Sequence, residues 1–471
     1  MLLASIRQSL HNIVGEKWFL DDKEDLIAYS YDATPLYQSL PDAVVMPGST
    51  AEVQQIVKLA DEHDIKLITR GSGTNLCGGT VPVGGGLVVV MTRLNQILEI
   101  DEDNLTVTFQ PGVITGNLHQ AVEALGLFYP PDPSSLRIST LGGNISECSG
   151  GLRGLKYGVT KDYIIGLEVV LPNGELIHTG GKSAKDVAGY DLTKLFVGAE
   201  GTLGIITEAT AKLIPLPETK KTMLALFHSL TDASRAVSKV IANRIIPATM
   251  EFMDKATIRV VEDFAKIGLP VDAEAVLLIE QDGSLEVVER DIAKIALICE
   301  EEKAFKVEIA NTPEEGLKLL TARRSALAAL SRLKPTTILE DATVPRSQIA
   351  NMVERIQQIA QKYDLMICTF GHAGDGNLHP TCMTDERNKE EIHRVEQAFK
   401  EIFLAALELG GTITGEHGVG LAKRDYLELK VGPAGYDVML GIKQAFDPKN
   451  IMNPGKIFAR NERKRVVMNH G

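Results

Sequence analysis

The stretch GHAGDGNLHP, residues 371–380, puts His372 and His379 on either side of a glycine-flanked aspartate. If the flanking LMICTF and NLHPTCM runs are strands joined through Ala373 to Gly376, an even-length loop sets His372 opposite Asn377. His379 then falls one diagonal step further along the same face. Diagonal Cβ atoms stand about 7–8 Å apart, a gap that two imidazoles close around one ion. An odd-length loop or a bulge breaks this geometry and leaves a turn with two ordinary imidazoles beside it. A second stretch, GEHG at 415–418, sets Glu416 beside His417 between glycines, after a strand-like GGTIT. Two histidines and one carboxylate with open positions form a recognised catalytic metal arrangement. The competing reading of GEHG is a turn or helix cap.

Three other stretches suit an anion. RGSGTNLCGG at 70–79 packs four glycines and three small polar residues behind a predicted strand. Without Cβ atoms, backbone N–H groups there converge on a pyrophosphate; the alternative is a surface turn. STLGGNISECSGG at 139–151 and GAEGTLGIITEA at 198–209 share the character. A Rossmann or P-loop glycine run feeds a helix, whereas the first of these loops feeds the strand-like GGGLVVVMTRL. Three loops without that fingerprint point to a large dinucleotide lying extended across one unit.

The elements that must position these residues fall into two rhythms. Residues 41–70 read as strand, a helix capped near Ser49 or Thr50, and a strand ending at Arg70. Short strands, a helix at TGNLHQAVEALGL and a Pro-Asn-Gly hairpin follow, to a boundary around Pro215 to Lys221. Beyond it, strands such as TMLALFHSL and EAVLLIEQDG alternate with longer amphipathic helices, including one long helix over TPEEGLKLLTARRSALAALSRL. That pattern predicts an α+β unit with helices on an antiparallel sheet. The stretch GYDVMLGIKQAFDPKNIMNPGKIF is expected to end in turns.

Composition excludes several classes. At 471 residues, 44% hydrophobic and 24% charged, the chain reads as a folded protein of two or three domains. A net charge of −13 argues against nucleic-acid binding. The one basic cluster, Arg460, Arg463, Lys464 and Arg465, reads as a solvated tail, with docking to a partner or an anionic membrane surface as the alternative. Five scattered cysteines without a CxxC pair encode neither disulfides nor an iron–sulfur site and suit a reducing cytoplasm. The N-terminus reads as an amphipathic helix rather than an address, and no run is long enough to span a membrane.

The glycine loops, YPPDPSS at 129–135, HAGDGNLH and GEHG stand in the order found in the vanillyl-alcohol oxidase superfamily, which the sequence resembles from about Pro41 to Phe458. Within it the likeness falls on the 2-hydroxy-acid branch that holds the D subunit of bacterial glycolate oxidase, D-lactate dehydrogenases and D-2-hydroxyglutarate dehydrogenase. The resemblance implies an α+β fold in three parts. These are a two-part FAD-binding domain over 1–218 with its core at about 41–218, an FAD-linked oxidase substrate or cap domain over 219–458 with an antiparallel sheet and a small C-terminal segment, and a basic flexible tail over 459–471. It implies that Arg70, Gly71, Ser72, Gly73, Thr74, Asn75 and Gly78 wrap the FAD pyrophosphate, while Pro131, Asp132 and Ser135 approach the flavin. Thr140, Gly142, Gly143, Asn144, Ser146, Gly150 and Gly151 line the cofactor channel; Tyr157, Gly158, Glu200, Gly201, Gly204 and Ile206 complete it, and Asn453 is a C-terminal site residue. Other branches tether flavin through His or Cys. These loops hold no histidine, and Cys77 and Cys148 read as packing residues, so non-covalent FAD is expected.

By the same resemblance His372, His379 and Glu416 are ligands of a divalent ion, Zn²⁺ or Mn²⁺, and His417 is the catalytic base. The expected reaction is oxidation of glycolate to glyoxylate, or of D-lactate as the alternative. The metal polarises the hydroxyl, His417 takes its proton and hydride reaches flavin N5. Arg323 is the expected carboxylate clamp, with Arg324 its rival. One departure stands out. Dicarboxylate-specific relatives carry a lysine just before the aspartate of TILEDATVP, but here Leu339 and Glu340 precede Asp341, and an acidic site would favour a small monocarboxylate. The likeness to a complex-forming subunit implies iron–sulfur and second flavoprotein partners, or an electron-transfer flavoprotein, and peripheral membrane association through them. A non-catalytic flavin-binding scaffold and a zinc hydrolase are the rival classes.

Overall fold

The computed structural model describes residues 2–266 and 268–460. Helix Ala4–Val14 turns Ile6, Leu10 and Val14 inward, as its apolar spacing requires. Strand Ala43–Val45, helix Thr50–Glu62 and strand Leu67–Arg70 then form a crossover unit; the helix opens at Ser49, whose hydroxyl accepts the Glu52 N–H at 3.2 Å. Strand Leu87–Val90, all four residues buried, lies between the two and runs parallel to both. The first glycine loop therefore leaves the end of a buried parallel strand and leads into another strand.

An antiparallel sheet follows, in the spatial order Ile97–Asp101, Thr106–Phe109, Ile205–Lys212, Ile164–Val170 and Leu176–Gly180. Phe109, Leu167 and Ala209 share a core with Leu118 and Val122 of helix Thr115–Glu123. Residues 139–151 differ from the expected loop, for they contain helix Leu141–Glu147, capped by the Thr140 hydroxyl, which accepts the Gly143 N–H at 3.3 Å. The GGNIS run has poor helix propensity, and close packing explains its glycines: a Cβ on Gly142 would stand 2.5 Å from Pro111.

The second half is built on one large antiparallel sheet. Its order is Ala304–Ile309, Thr219–Phe227, Ala275–Gly283, Thr249–Asp254, Met366–His372, Asn377–Thr384 and Thr336–Leu339, with Ala342–Thr343 also pairing to Asn377–Thr384. Both faces are covered. Met223, Ala225, Phe227, Leu277 and Ile279 pack with Val237, Ile292, Val353 and Phe399, from four long helices. Leu224, Leu226, Val276 and Leu278 pack with Ile258, Val261 and Leu330 on the other side. Double burial is why these strands read as continuous apolar runs.

Four expectations change. The long helix over 312–333 is two, Pro313–Arg324 and Ala326–Leu330, divided at Ser325. GGTIT is not a strand; only Thr412 bridges, to Thr343. The end of the chain, grouped by sequence with the cap, returns to the first sheet, where Leu67 N–H donates to Ile451 O and Asn453 N–H to Leu67 O, both at 2.7 Å. Arg460 is not a frayed residue, since it pairs with Asp437 at 2.8 Å and lies over the Tyr436 ring. The remainder of the expected tail, 461–471, lies outside the described residues.

Candidate active site

A cleft of about 890 Å³ is lined by both halves of the chain. Arg70, Gly71, Ser72, Gly73, Thr74, Asn75, Ser135, Thr140, Gly142, Gly143, Asn144, Ser146, Gly150, Glu200, Gly201, Gly204 and Ile206 line it. Gly78, Pro131, Asp132, Gly151, Tyr157, Gly158 and Asn453 do not; they brace its walls. Gly78 N–H donates to Thr34 Oγ1, Pro131 O bonds His119 Nε2, and Asp132 pairs with Arg324 and Arg153. Gly151 passes so close to Asp132 that a Cβ would meet its carbonyl oxygen at 2.5 Å. Tyr157 OH donates to Asp282, and Gly158 ends the short helix Gly154–Tyr157. Asn453 Nδ2 donates to Gly79 O at 2.9 Å and Glu200 O at 2.7 Å, tying two glycine loops together. Arg70 also turns back on its own loop, donating to Tyr31 O and Thr80 Oγ1. The first two loops touch, since a Cβ on Gly71 would sit 2.1 Å from Thr140 Oγ1. Side chains there would fill the cradle that a dinucleotide needs. The residues present therefore fit FAD.

The histidine hairpin forms one wall. His372 pairs with Asn377 and Phe370 with His379, so both imidazoles share a face, with ring centres 5.0 Å apart. The turn needs Gly376, whose φ is +84° and whose Cβ would stand 2.0 Å from Val344 O. Glu416 Oε1 lies 3.3 Å from the Nε2 atoms of both His372 and His379. His372 Nδ1 is 2.6 Å from Glu251 Oε1, which holds a proton on Nδ1 and turns Nε2 toward Glu416, as the atom that would bind an ion. Burial alone would lower the His372 pKa, yet Glu251 and Glu416 hold it well above the usual range. Burial would raise that of Glu416, yet His372 and His379 hold it well below. Three donors aimed at one point thus attract positive charge, and their chemistry fits a divalent ion.

Asp341 builds the turn that carries Glu416 and His417. Its Oδ2 accepts the N–H groups of Gly415, Glu416 and His417 at 2.6, 2.8 and 3.3 Å, while Oδ1 pairs with the buried Lys423. Lys423 also reaches Glu340 at 3.2 Å. This corrects the expected acidic wall: Glu340 and Asp341 are buried on a shared ammonium, and neither lines the cleft, so they do not repel a second carboxylate. His417 stacks on His379 with ring centres 5.3 Å apart, and burial lowers its pKa to about 4. It is a neutral imidazole at neutral pH.

The two arginines have partners. Arg323 pairs with Glu251 Oε2 at 2.5 Å, but its buried Nε has no acceptor; Arg324 pairs with Asp132 at 3.0 Å. Both line the cleft. Glu251 and Lys423 were not foreseen. An acid in the middle of the apolar strand TMEFMD was the available signal for Glu251; nothing marked Lys423, 82 residues from Asp341.

Glycine loops opening one cleft, with an antiparallel cap that sets histidines into its wall, define a flavin-binding oxidoreductase of the vanillyl-alcohol oxidase type. The fold is that of p-cresol methylhydroxylase with substrate bound, at a TM-score of 0.81, 19% identity and 96% coverage of each chain. It is also that of 4-ethylphenol oxidase from Gulosibacter chungangensis, at 0.79, 20% and 98% of each chain. The family described as "FAD binding domain" matches residues 41–180 and that described as "FAD linked oxidases, C-terminal domain" matches 216–457. The chain belongs to the FAD-linked oxidases of the vanillyl-alcohol oxidase superfamily, in the branch of the glycolate oxidase subunit GlcD, and is an FAD-dependent hydroxy-acid oxidoreductase. It is 64% identical over 467 residues to "Glycolate oxidase subunit GlcD" of Bacillus subtilis strain 168, covering 99% of each. It is 37% identical to the subunit of that name in Escherichia coli K12, over 96% of this chain and 91% of that one. It is also 37% identical to "D-lactate dehydrogenase" of Anaerostipes hadrus, over 91% and 92%.

Proposed function

We propose that the chain oxidises glycolate to glyoxylate with non-covalent FAD and a divalent ion, Zn²⁺ or Mn²⁺. One observation carries this reading above all: His372, His379, Glu416 and His417 meet on the wall of the cleft that the glycine loops open. When bound, FAD supplies the two-electron acceptor and the ion supplies Lewis acidity at the substrate hydroxyl. His372, His379 and Glu416 hold that ion, with Glu251 orienting His372. His417, unprotonated at working pH, takes the hydroxyl proton. Arg323, which lines the cleft, is the clamp for the substrate carboxylate, while Arg324 stays with Asp132. Neither Cys77 nor Cys148 lines the cleft, which supports a flavin held without a covalent tether.

The names of the Bacillus and Escherichia relatives support work as a subunit; the partner we propose for the electrons is an iron–sulfur protein with a second flavoprotein, or an electron-transfer flavoprotein. No helix among the described residues is long and apolar enough to cross a membrane, and a cytoplasmic site is the reading we favour. The test is anaerobic mixing of FAD- and metal-replete protein with glycolate, D-lactate, L-lactate or D-2-hydroxyglutarate while the oxidised flavin band is followed. Fastest bleaching by glycolate is expected. Fastest bleaching by D-lactate would move the chain to the lactate branch, and no bleaching by any acid would leave a scaffold subunit.

A further inference from the structure

Glu147 has no part in the chemistry above, yet it closes helix Leu141–Glu147 and lines the cleft. Its surroundings are unusual for an acid. Both carboxyl oxygens lie near the buried Cys77 sulfur, at 3.6 and 3.8 Å, and a thiol is a weak donor. Among the described residues no ammonium or guanidinium bonds it, since nearby Lys423 is committed to Glu340 and Asp341. The C-terminal end of a helix is also its negative end.

The neighbouring acid is better provided. Glu200 accepts the N–H groups of Val419 and Gly420, both at 2.7 Å, and an oxygen of Glu200 lies within 4.8 Å of one of Glu147. Gly418 runs between them, where a Cβ would stand 2.3 Å from Glu147 Oε2 and 3.1 Å from Glu200 Oε1. Two carboxyl groups this close, one buried and one half-buried, resist ionising together. Glu200 has the backbone donors that stabilise a charge, so the proton falls to Glu147; burial and Glu200 together push its carboxyl well above the ordinary range.

We infer that Glu147 stands in the cofactor cleft as a neutral carboxyl group, accepting from the Cys77 thiol and donating its O–H to bound FAD. Such a donor favours the electron-rich reduced cofactor without adding charge, making Glu147 a tuning residue for the flavin rather than a substrate ligand. This rests on FAD occupying the cleft and not on which acid is oxidised.

The experiment reduces the holoenzyme photochemically, without substrate, and records infrared difference spectra and midpoint potentials. A protonated-carboxyl C=O band that moves on reduction and shifts in D₂O is expected in the wild type and absent from Glu147→Gln. Glu147→Gln, which keeps a neutral donor, should hold the wild-type potential, while Glu147→Leu lowers it. The proposal is overturned if the wild type shows no such band, or if Glu147→Gln raises the potential, as removal of a negative charge would. Should Glu147→Leu fail to retain FAD, the band and Glu147→Gln decide.

Discussion

At the scale of single residues, the polar groups of the cleft wall divide the proposed work among them. In the proposed reaction His417 accepts the proton, so His417→Ala should retain FAD and metal while substrate-driven flavin bleaching slows by about 10²–10⁴-fold. Glu251 acts through His372. Glu251→Gln should therefore weaken divalent-ion affinity by about 10–100-fold in a metal titration, and unchanged affinity would remove it from the site. Some of this was legible in advance. The register of His372 and His379 follows from a strand period of two and a turn of even length, and GEHG offers its acid and imidazole side by side. Glu251 was not legible because an isolated acid in an apolar strand announces no partner. Glu340 and Asp341 read as an acidic site because the lysine that they share comes from a distant turn.

At the scale of elements, the hairpin holds His372 and His379 in register through a glycine that no side chain can replace. Gly376→Ala forces a left-handed φ and a backbone clash, and should cost about 1–3 kcal/mol of stability while lowering metal retention. Helix Thr115–Glu123 carries a different sensitivity. His119 is buried, its Nε2–H donating to Pro131 O at 2.9 Å, and burial first, then Arg153, lowers its pKa from 6.5 to about 4. The neutral ring thus contributes stability that is fully present above pH 6.5 and lost as the pH falls through 4, about 3 kcal/mol in all. Thermal midpoints of the holoenzyme at pH 7 and 4.5 should converge in His119→Gln relative to wild type; a parallel fall would contradict this. Strand and helix order was readable because the doubly buried strands of the large sheet stand out as continuous apolar runs between amphipathic helices. The helix at 141–147 was not, since its glycines serve close packing against Pro111 and Thr140 rather than helix propensity.

At the scale of the whole molecule, the cleft is assembled from segments far apart in sequence. The end of the described chain pins the cofactor half: Asn453 bonds carbonyl oxygens of two glycine loops, and residues 451–453 lie along the strand that starts the first one. Asn453→Ala should raise the FAD dissociation constant by about tenfold, the loss of roughly one net hydrogen bond, as measured by fluorescence titration of the apoprotein. The sequence pattern divided the chain near residue 218 but could not foresee this return, because a short turn-rich segment carries no periodic signal. The central claim, that the histidine–glutamate set works through a bound divalent ion in hydroxy-acid oxidation, is tested most directly by anaerobic flavin bleaching before and after chelation, and after adding back Zn²⁺ or Mn²⁺. The account predicts that chelation slows bleaching by glycolate at least about 10²-fold with FAD still bound, and that one of the two ions restores it. Bleaching that stays as fast in protein shown to be free of metal would contradict it.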